Sequence, residues 1–231
     1  MVGLEGPADD LSLRRSAGAR RVLLSASGLA YLILDSVGNS VIASLPGAPA
    51  GDDADVASFF DRHEATIGLM AWIVAIGAVF LAIFAVTVRR SLPDSIASDL
   101  VAASGLVAAA ILTSSSGVLL VGVGQTSPQQ AKVFWDLWNA GLVATLPAAA
   151  MAVATSVATR REAGRPAWIW LTGFPLALLC LVPWIAWVNL KLFPLWIGAL
   201  SVSLLRGRRW GSAALARGRS TDRAAAAPAR P

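Results

Sequence analysis

The stretch TIGLMAWIVAIGAVFLAIFAVTVRR, residues 66–90, decides the fold. Positions 66–88 carry no charged side chain, and Arg89 and Arg90 close the run. A helix rises 1.5 Å per residue, so twenty-odd apolar residues match a hydrocarbon core about 30 Å thick. The run therefore reads as a membrane-spanning helix. Its basic terminus reads as the side that stays with the cytoplasm.

Working outward, similar blocks recur. The first is 22–44, VLLSASGLAYLILDSVGNSVIAS. Residues 45–65 follow as a solvated acidic loop with Asp52, Asp53, Asp55, Asp61 and Glu64. Its end, SFFDRHEAT, is expected to form a short interfacial helix leading into 66–88. A third span is expected over 100–123, with Thr113, Ser114, Ser115 and Ser116 near its middle. Hydroxyls there bond to carbonyls of the preceding turn or to a neighbouring helix. A fourth span is expected over 137–158, after a link at 124–136 that includes Gln125, Pro128 and Lys132. The block 167–205 has Lys191 as its only charge and is too long for one span. It is read as two helices, 167–184 and 189–205, broken around Pro183–Lys191, with Pro194 as a kink.

The expectation is an all-α, polytopic transmembrane helical bundle of about six spans. Residues 1–21 form a basic leader, 22–205 the helical domain, and 206–231 a disordered basic tail. The first block is longer than a signal-peptide apolar region of roughly 7–15 residues, so it is read as a retained span. With six spans, 16 of the 19 Lys and Arg residues fall on one side. Only Arg62, Lys132 and Lys191 fall on the other. The positive-inside rule then places both termini in the cytoplasm.

Composition narrows the function classes. Hydrophobic residues make up 56% and charged residues only 14% of 231. Soluble domains run near 25% charged. The pI near 10.6 reflects arginines flanking apolar blocks, so nucleic acid is not an expected partner. The single cysteine, Cys180, sits in an apolar block and reads as a small buried hydrophobe. No Walker loop, dinucleotide fingerprint or nucleophile elbow occurs, and neither a cofactor nor a metal is expected.

Three groups are candidates for chemistry. Asp35 lies mid-span, where an ionised carboxylate costs several kcal/mol. It is expected to face the bundle interior and to be neutral or partnered. Tyr31, Asp35 and Asn39 follow an i, i+4, i+8 spacing and share one helix face. Gly28 and Gly38 on the same helix permit close approach of a neighbour. The second group lies at the outer end: Asp61, Arg62, His63 and Glu64 before the second span, and Trp135, Asp136, Trp138 and Asn139 before the fourth. One histidine beside carboxylates suits proton transfer, while interfacial caps and ion pairs explain the same residues. The third group is the tryptophans. Trp168, Trp170, Trp184, Trp187 and Trp196 lie in the last hairpin, and Trp72 near another span end. Interfacial belts explain most of them, and an aromatic ligand pocket is the other reading.

SFFDRHEATIGLMAWIVAIGAVFLAIFAVTVRRSLP (58–93) and VFWDLWNAGLVATLPAAAMAVATSVATRREAGRPAWIWLTGFPLAL (133–178) resemble the DUF4386-like group of small bacterial polytopic membrane proteins. That resemblance covers about residues 20–206. It implies a bundle of five to seven spans and no assigned activity. In size and helix number the chain is also similar to small membrane-embedded terpene cyclases. That likeness implies Asp35, Glu64 and Asp136 as catalytic acids, with tryptophans shielding a carbocation. The leading functional expectation is binding of a lipid or lipophilic small molecule by Tyr31, Asn39, His63, Trp72, Trp135, Trp138 and Asn139 around Asp35. An isoprenoid cyclase and a small transporter or accessory subunit are the alternatives.

Overall fold

The computed structural model describes residues 7–47, 52–124, 127–160, 165–182 and 185–206. These residues form helices and short links, with no strand among them. The helices are α1 (Pro7–Ser44), α2 (Asp53–Arg89), α3 (Ile96–Val123), α4 (Pro128–Ala140), α5 (Thr145–Arg160), α6 (Trp168–Cys180) and α7 (Ala186–Arg206). One 3₁₀ turn, Gly141–Ala144, joins α4 to α5. The run 128–160 is therefore one bent rod, and the bundle has six rods.

Four of these rods are long and apolar enough to cross a membrane: 22–44 within α1, all of α2, all of α3, and 128–160. Two shorter apolar helices, Trp168–Cys180 and Lys191–Leu205, complete the set. At 1.5 Å per residue, the 13 residues of α6 reach only about 20 Å.

Several boundaries differ from the sequence expectation. Residues 7–21 continue α1 as helix. Residues 1–6, the tail 207–231, Gln125 and Trp184 lie outside the described residues. The acidic loop is shorter than 45–65, because α2 begins at Asp53. The Asp52 side chain caps it by accepting from the Ala54 N–H at 3.0 Å. Asp53 and Asp55 in the first turn suit the positive end of the helix dipole. The expected link 124–136 is largely helix α4, started by Pro128. The break falls after it, at 141–144. Pro147 lacks an N–H, so the carbonyl of Val143 has no i+4 donor and the ladder is interrupted. The last hairpin turns between Cys180 and Ala186, with Pro175 inside α6 and Pro194 inside α7.

The rods close into a ring. Neighbours run α1 to α2, α2 to α3, α3 to α5, α5 to α6, α6 to α7, and α7 back to α1, with α2–α3 the most extensive contact. Small residues make this closeness possible. A Cβ on Gly38 would sit 2.5 Å from a Val74 methyl and 3.1 Å from the Met70 carbonyl. One on Gly28 would meet Ser201 and Phe84. Close backbone approach of this kind is how membrane helices associate without a hydrophobic drive between them. Hydroxyls at membrane depth mostly satisfy themselves within their helix. Thr113 donates to the Ala109 carbonyl, Thr155 to Met151 and Ser201 to Ile197, each at 2.8 Å.

The apolar core falls into two clusters. One holds Tyr31, Leu81, Ala108, Met151, Ile169 and Ile197. The other holds Ile42, Phe59, Phe60, Ile67 and Leu119. Along α1 the gap between them contains Asp35 and Asn39. Along α3 it contains Thr113 to Ser116. A polar layer thus crosses the bundle between two apolar layers.

Candidate functional site

The polar layer is built from α1, α3 and the α4–α5 bend. Asp35 is 1% exposed, and neither carboxylate oxygen has a hydrogen-bond partner among the described residues. It is held in place by the backbone opposite. A Cβ on Gly77 of α2 would lie only 3.3 Å from the Asp35 nitrogen, so α1 rests directly on α2 there. One turn on, the Asn39 side-chain amide donates to the Asp35 carbonyl at 3.0 Å. One turn back, Tyr31 is 2% exposed and packs edge-on against Phe193, with ring centroids 6.4 Å apart.

Tyr31 and Asn39, one turn either side of Asp35, each line a small cavity, and Asp35 itself lines neither. The axial one, about 20 Å³, is lined from all six rods, including Tyr31, Leu81, Ala108, Thr145, Cys180 and Phe193. The outer one, about 30 Å³, is lined by Asn39, Ser115, Ser116, Trp138 and Asn139 among others. Leu112 borders both. A water needs at least 10–15 Å³ of such space and polar partners. The outer cavity, with its amides and hydroxyls, therefore suits one or two waters, while the axial one is mostly apolar. Both are far below the roughly 300 Å³ of a small-molecule pocket.

Beside the outer cavity lies a wider lateral groove between α3 and α4. It measures about 310 Å³, opens to the bundle exterior, and is lined by Ala110, Ile111, Ser114, Ser115, Val118, Leu137, Ala140 and Gly141. Ser115 and Gly141 belong to both groove and cavity. The close approach that joins them needs the glycine, since a Cβ on Gly141 would sit 2.3 Å from the Ser115 oxygen.

The outer end carries an aromatic cluster. Trp135 lies 5.6 Å from Phe59, 6.0 Å from Phe60 and 5.0 Å from Trp138, measured between ring centroids. His63 packs 5.1 Å from Phe59 and donates through Nε2 to the Pro46 carbonyl at 3.1 Å. Asn139 donates to the Trp135 carbonyl at 3.0 Å. Of the expected ligand residues, Asn39, Trp138 and Asn139 thus share one cavity, and Trp135 and His63 share the cluster above it. Trp72 is 60% exposed on the bundle exterior and joins neither.

The three expected acids are not brought together. Asp35 is inside the bundle, whereas Glu64 and Asp136 are exposed. Asp136 is ion-paired with Lys132 one turn earlier on α4. No group of three His, Cys, Asp or Glu forms among the described residues. From the sequence Ser115 and Ser116 read only as mid-span hydroxyls, and nothing there singles out Leu112 or Gly141.

No protein-family description, curated protein or solved structure matches the chain.

Proposed function

We propose that this chain is a six-span inner-membrane protein, with both termini cytoplasmic, that binds a lipid or lipophilic small molecule in the α3–α4 groove. The observation that carries this is the junction of groove and cavity at Ser115 and Gly141. An apolar tail fits against Ala110, Ile111, Val118 and Leu137 on the lipid side. A polar head reaches the hydroxyls and amides of Ser115, Asn139 and Asn39. At about 310 Å³ the groove meets the lower end of the range for small-molecule sites.

The orientation is supported by what meets at each end. Arg89 bonds Asp94 at 2.9 Å and Asp99 at 2.7 Å. Arg165 donates to the Ser91 carbonyl at 2.9 Å, tying the α5–α6 link to the α2–α3 link. Arg160 stacks over Trp170 near the same end, 5.6 Å from the ring centre. At the opposite end Lys191 donates to Ser40 at 2.8 Å, near His63 and Pro46. The arginine-rich end is the cytoplasmic one by the positive-inside rule. The short α6 crosses with help from its flanks and local thinning of the bilayer.

Two measurements test the proposal. Reporter fusions at residues 55, 130 and 215 are expected to read periplasmic, periplasmic and cytoplasmic. A cytoplasmic signal at 55 or a periplasmic one at 215 reverses the orientation. For the groove, membranes holding the protein are irradiated with a photoreactive, clickable diacyl lipid or a photoreactive isoprenoid. Crosslinks are expected on the peptides spanning 110–118 and 137–141. Ala110→Trp and Ser114→Trp, at exposed positions, fill the groove and are expected to remove them. Labelling spread evenly around the bundle, or unchanged in both variants, would sink the groove.

A further inference from the structure

Asp35 is the feature that lipid binding does not use. It is the single acid at membrane depth, 1% exposed, with both oxygens unpartnered among the described residues. Burying a carboxyl without a hydrogen bond is costly, and natural bundles retain such acids where they serve a proton or ion path. The surroundings say which. A divalent cation takes six or more oxygens, usually from several carboxylates and carbonyls. No cluster of acids is assembled among the described residues. The cavities lined by its one-turn neighbours are water-sized, at about 30 Å³ beside Asn39 and about 20 Å³ beside Tyr31.

We infer that Asp35 is a proton-exchange site, loaded from the outer end through water held in the cavity of Asn39, Ser116 and Asn139. Water there bonds the amides and hydroxyl, and the carboxyl lies one helical turn below Asn39 on the same face of α1. Hydronium gives its proton to a carboxylate oxygen of Asp35. One O–H bond of hydronium breaks, one O–H bond forms on the carboxyl, and neutral water remains. Leu112 borders both cavities, and the axial one is lined mostly by apolar side chains, so the water is placed in the outer cavity alone.

The ionisable groups facing this site are few. Tyr31 lies on α1 itself, Cys180 on α6, and Lys191 at the outer part of α7, bonded to Ser40. Between residues 65 and 88 on α2, 100 and 123 on α3, and 145 and 159 on α5 there is no ionisable side chain. No neighbouring acid competes with Asp35 for the proton. The direction of loading rests on the orientation proposed above, while exchange itself does not. Reversed topology reporters with exchange intact would change only the compartment named.

The test is infrared difference spectroscopy on the full chain in liposomes, transferred from H₂O to D₂O over mildly acidic to mildly basic pH. A protonated-carboxyl stretch is expected that Asp35→Asn removes and that shifts promptly in D₂O. Ser116→Leu fills the outer cavity. The band is expected to remain while its shift slows by roughly tenfold or more, as for a site reached only by local opening. Asn39→Leu blocks the same route from α1 and covers the case in which Ser116→Leu fails to fold. Absence of any Asp35-dependent band even at the acidic end overturns the inference. So does an unchanged exchange rate in the folded cavity-filling variants.

Discussion

Gly105→Leu is expected to lower the stability of the detergent-purified bundle by about 1–3 kcal/mol or more, the range for overpacking a filled core. The reason is the identity of the neighbours. A Cβ on Gly105 would lie 2.3 Å from the Ala85 Cβ and 3.2 Å from the Met151 sulfur. Ala85 is fully buried in the most extensive helix contact of the ring. An alanine has no flexible end to swing aside, so α2 and α3 must part. Met151 on α5 blocks the other direction, and the disturbance reaches a third helix. Gly28 is the useful contrast. Its close neighbours are the Ser201 hydroxyl at 2.0 Å and the Phe84 ring at 2.7 Å. Those are side-chain atoms with torsions available, so Gly28→Ala is expected to cost less. Gly68→Leu is the control, because nothing lies within 4 Å of its Cβ position. Its effect is expected to stay within roughly ±0.5 kcal/mol, as for surface positions generally. Unfolding of the three variants in graded denaturing detergent orders them. Equal loss for Gly105 and Gly68 would mean that the α2–α3 contact is not as close as described.

The all-α bundle is legible in the chain, for a simple reason, whereas the ring order of its helices is not. Apolar blocks closed by arginines report bilayer thickness and sidedness directly, with no tertiary information needed. The departures fall where polar residues are helical. Residues 53–57 read as loop because Asp52, Asp53 and Asp55 crowd them. Their placement at a helix start, behind the Asp52 cap, turns the same charges into helix-stabilising ones. The segment 128–136 reads as a link because Gln129, Gln130, Lys132 and Asp136 punctuate it. Yet Pro128 suits a first turn, and Ala131, fully buried, marks an inward face. The Lys132–Asp136 pair is an i, i+4 signal of helix, and the structure pairs the two side chains.

The site divides the same way. The Tyr31–Asp35–Asn39 face follows from helical spacing alone, and the structure buries Tyr31 and Asp35 and half-buries Asn39. Which residues face it from other helices does not follow. Ser115 and Ser116 join the cavity because α3 meets the bend at Gly141 there, and that bend depends on Pro147. A single sequence gives the register within a helix but not the rotation of one helix against another. The tryptophans illustrate this. Trp72 and Trp135 are equally prominent in the chain, yet one is 60% exposed and the other packs among Phe59, Phe60 and Trp138.

Asp35→Leu is expected to stabilise the bundle, by about 1–3 kcal/mol, and this sign separates two accounts of the residue. If Asp35 were an interhelical clasp, its oxygens would hold donors on α2, α3 or α7. Removing them would orphan those donors and destabilise the fold. Neither oxygen has a partner among the described residues. The folded state then bears the desolvation of a polar group that no protein donor compensates, about 1–3 kcal/mol on the evidence of protein mutations. Leucine has the same number of side-chain heavy atoms and sits between apolar layers that include Tyr31 and Ile42. The substitution removes the penalty at little packing cost. Asp35→Asn keeps the shape but leaves an amide buried in the same place, so it is expected to lie between wild type and Asp35→Leu. A more stable, folded Asp35→Leu protein that has lost the exchangeable carboxyl is the pattern of a group kept for function against stability. A loss of stability in Asp35→Leu, with Asp35→Asn intermediate, would identify a hydrogen-bonded clasp and remove the proton site with it.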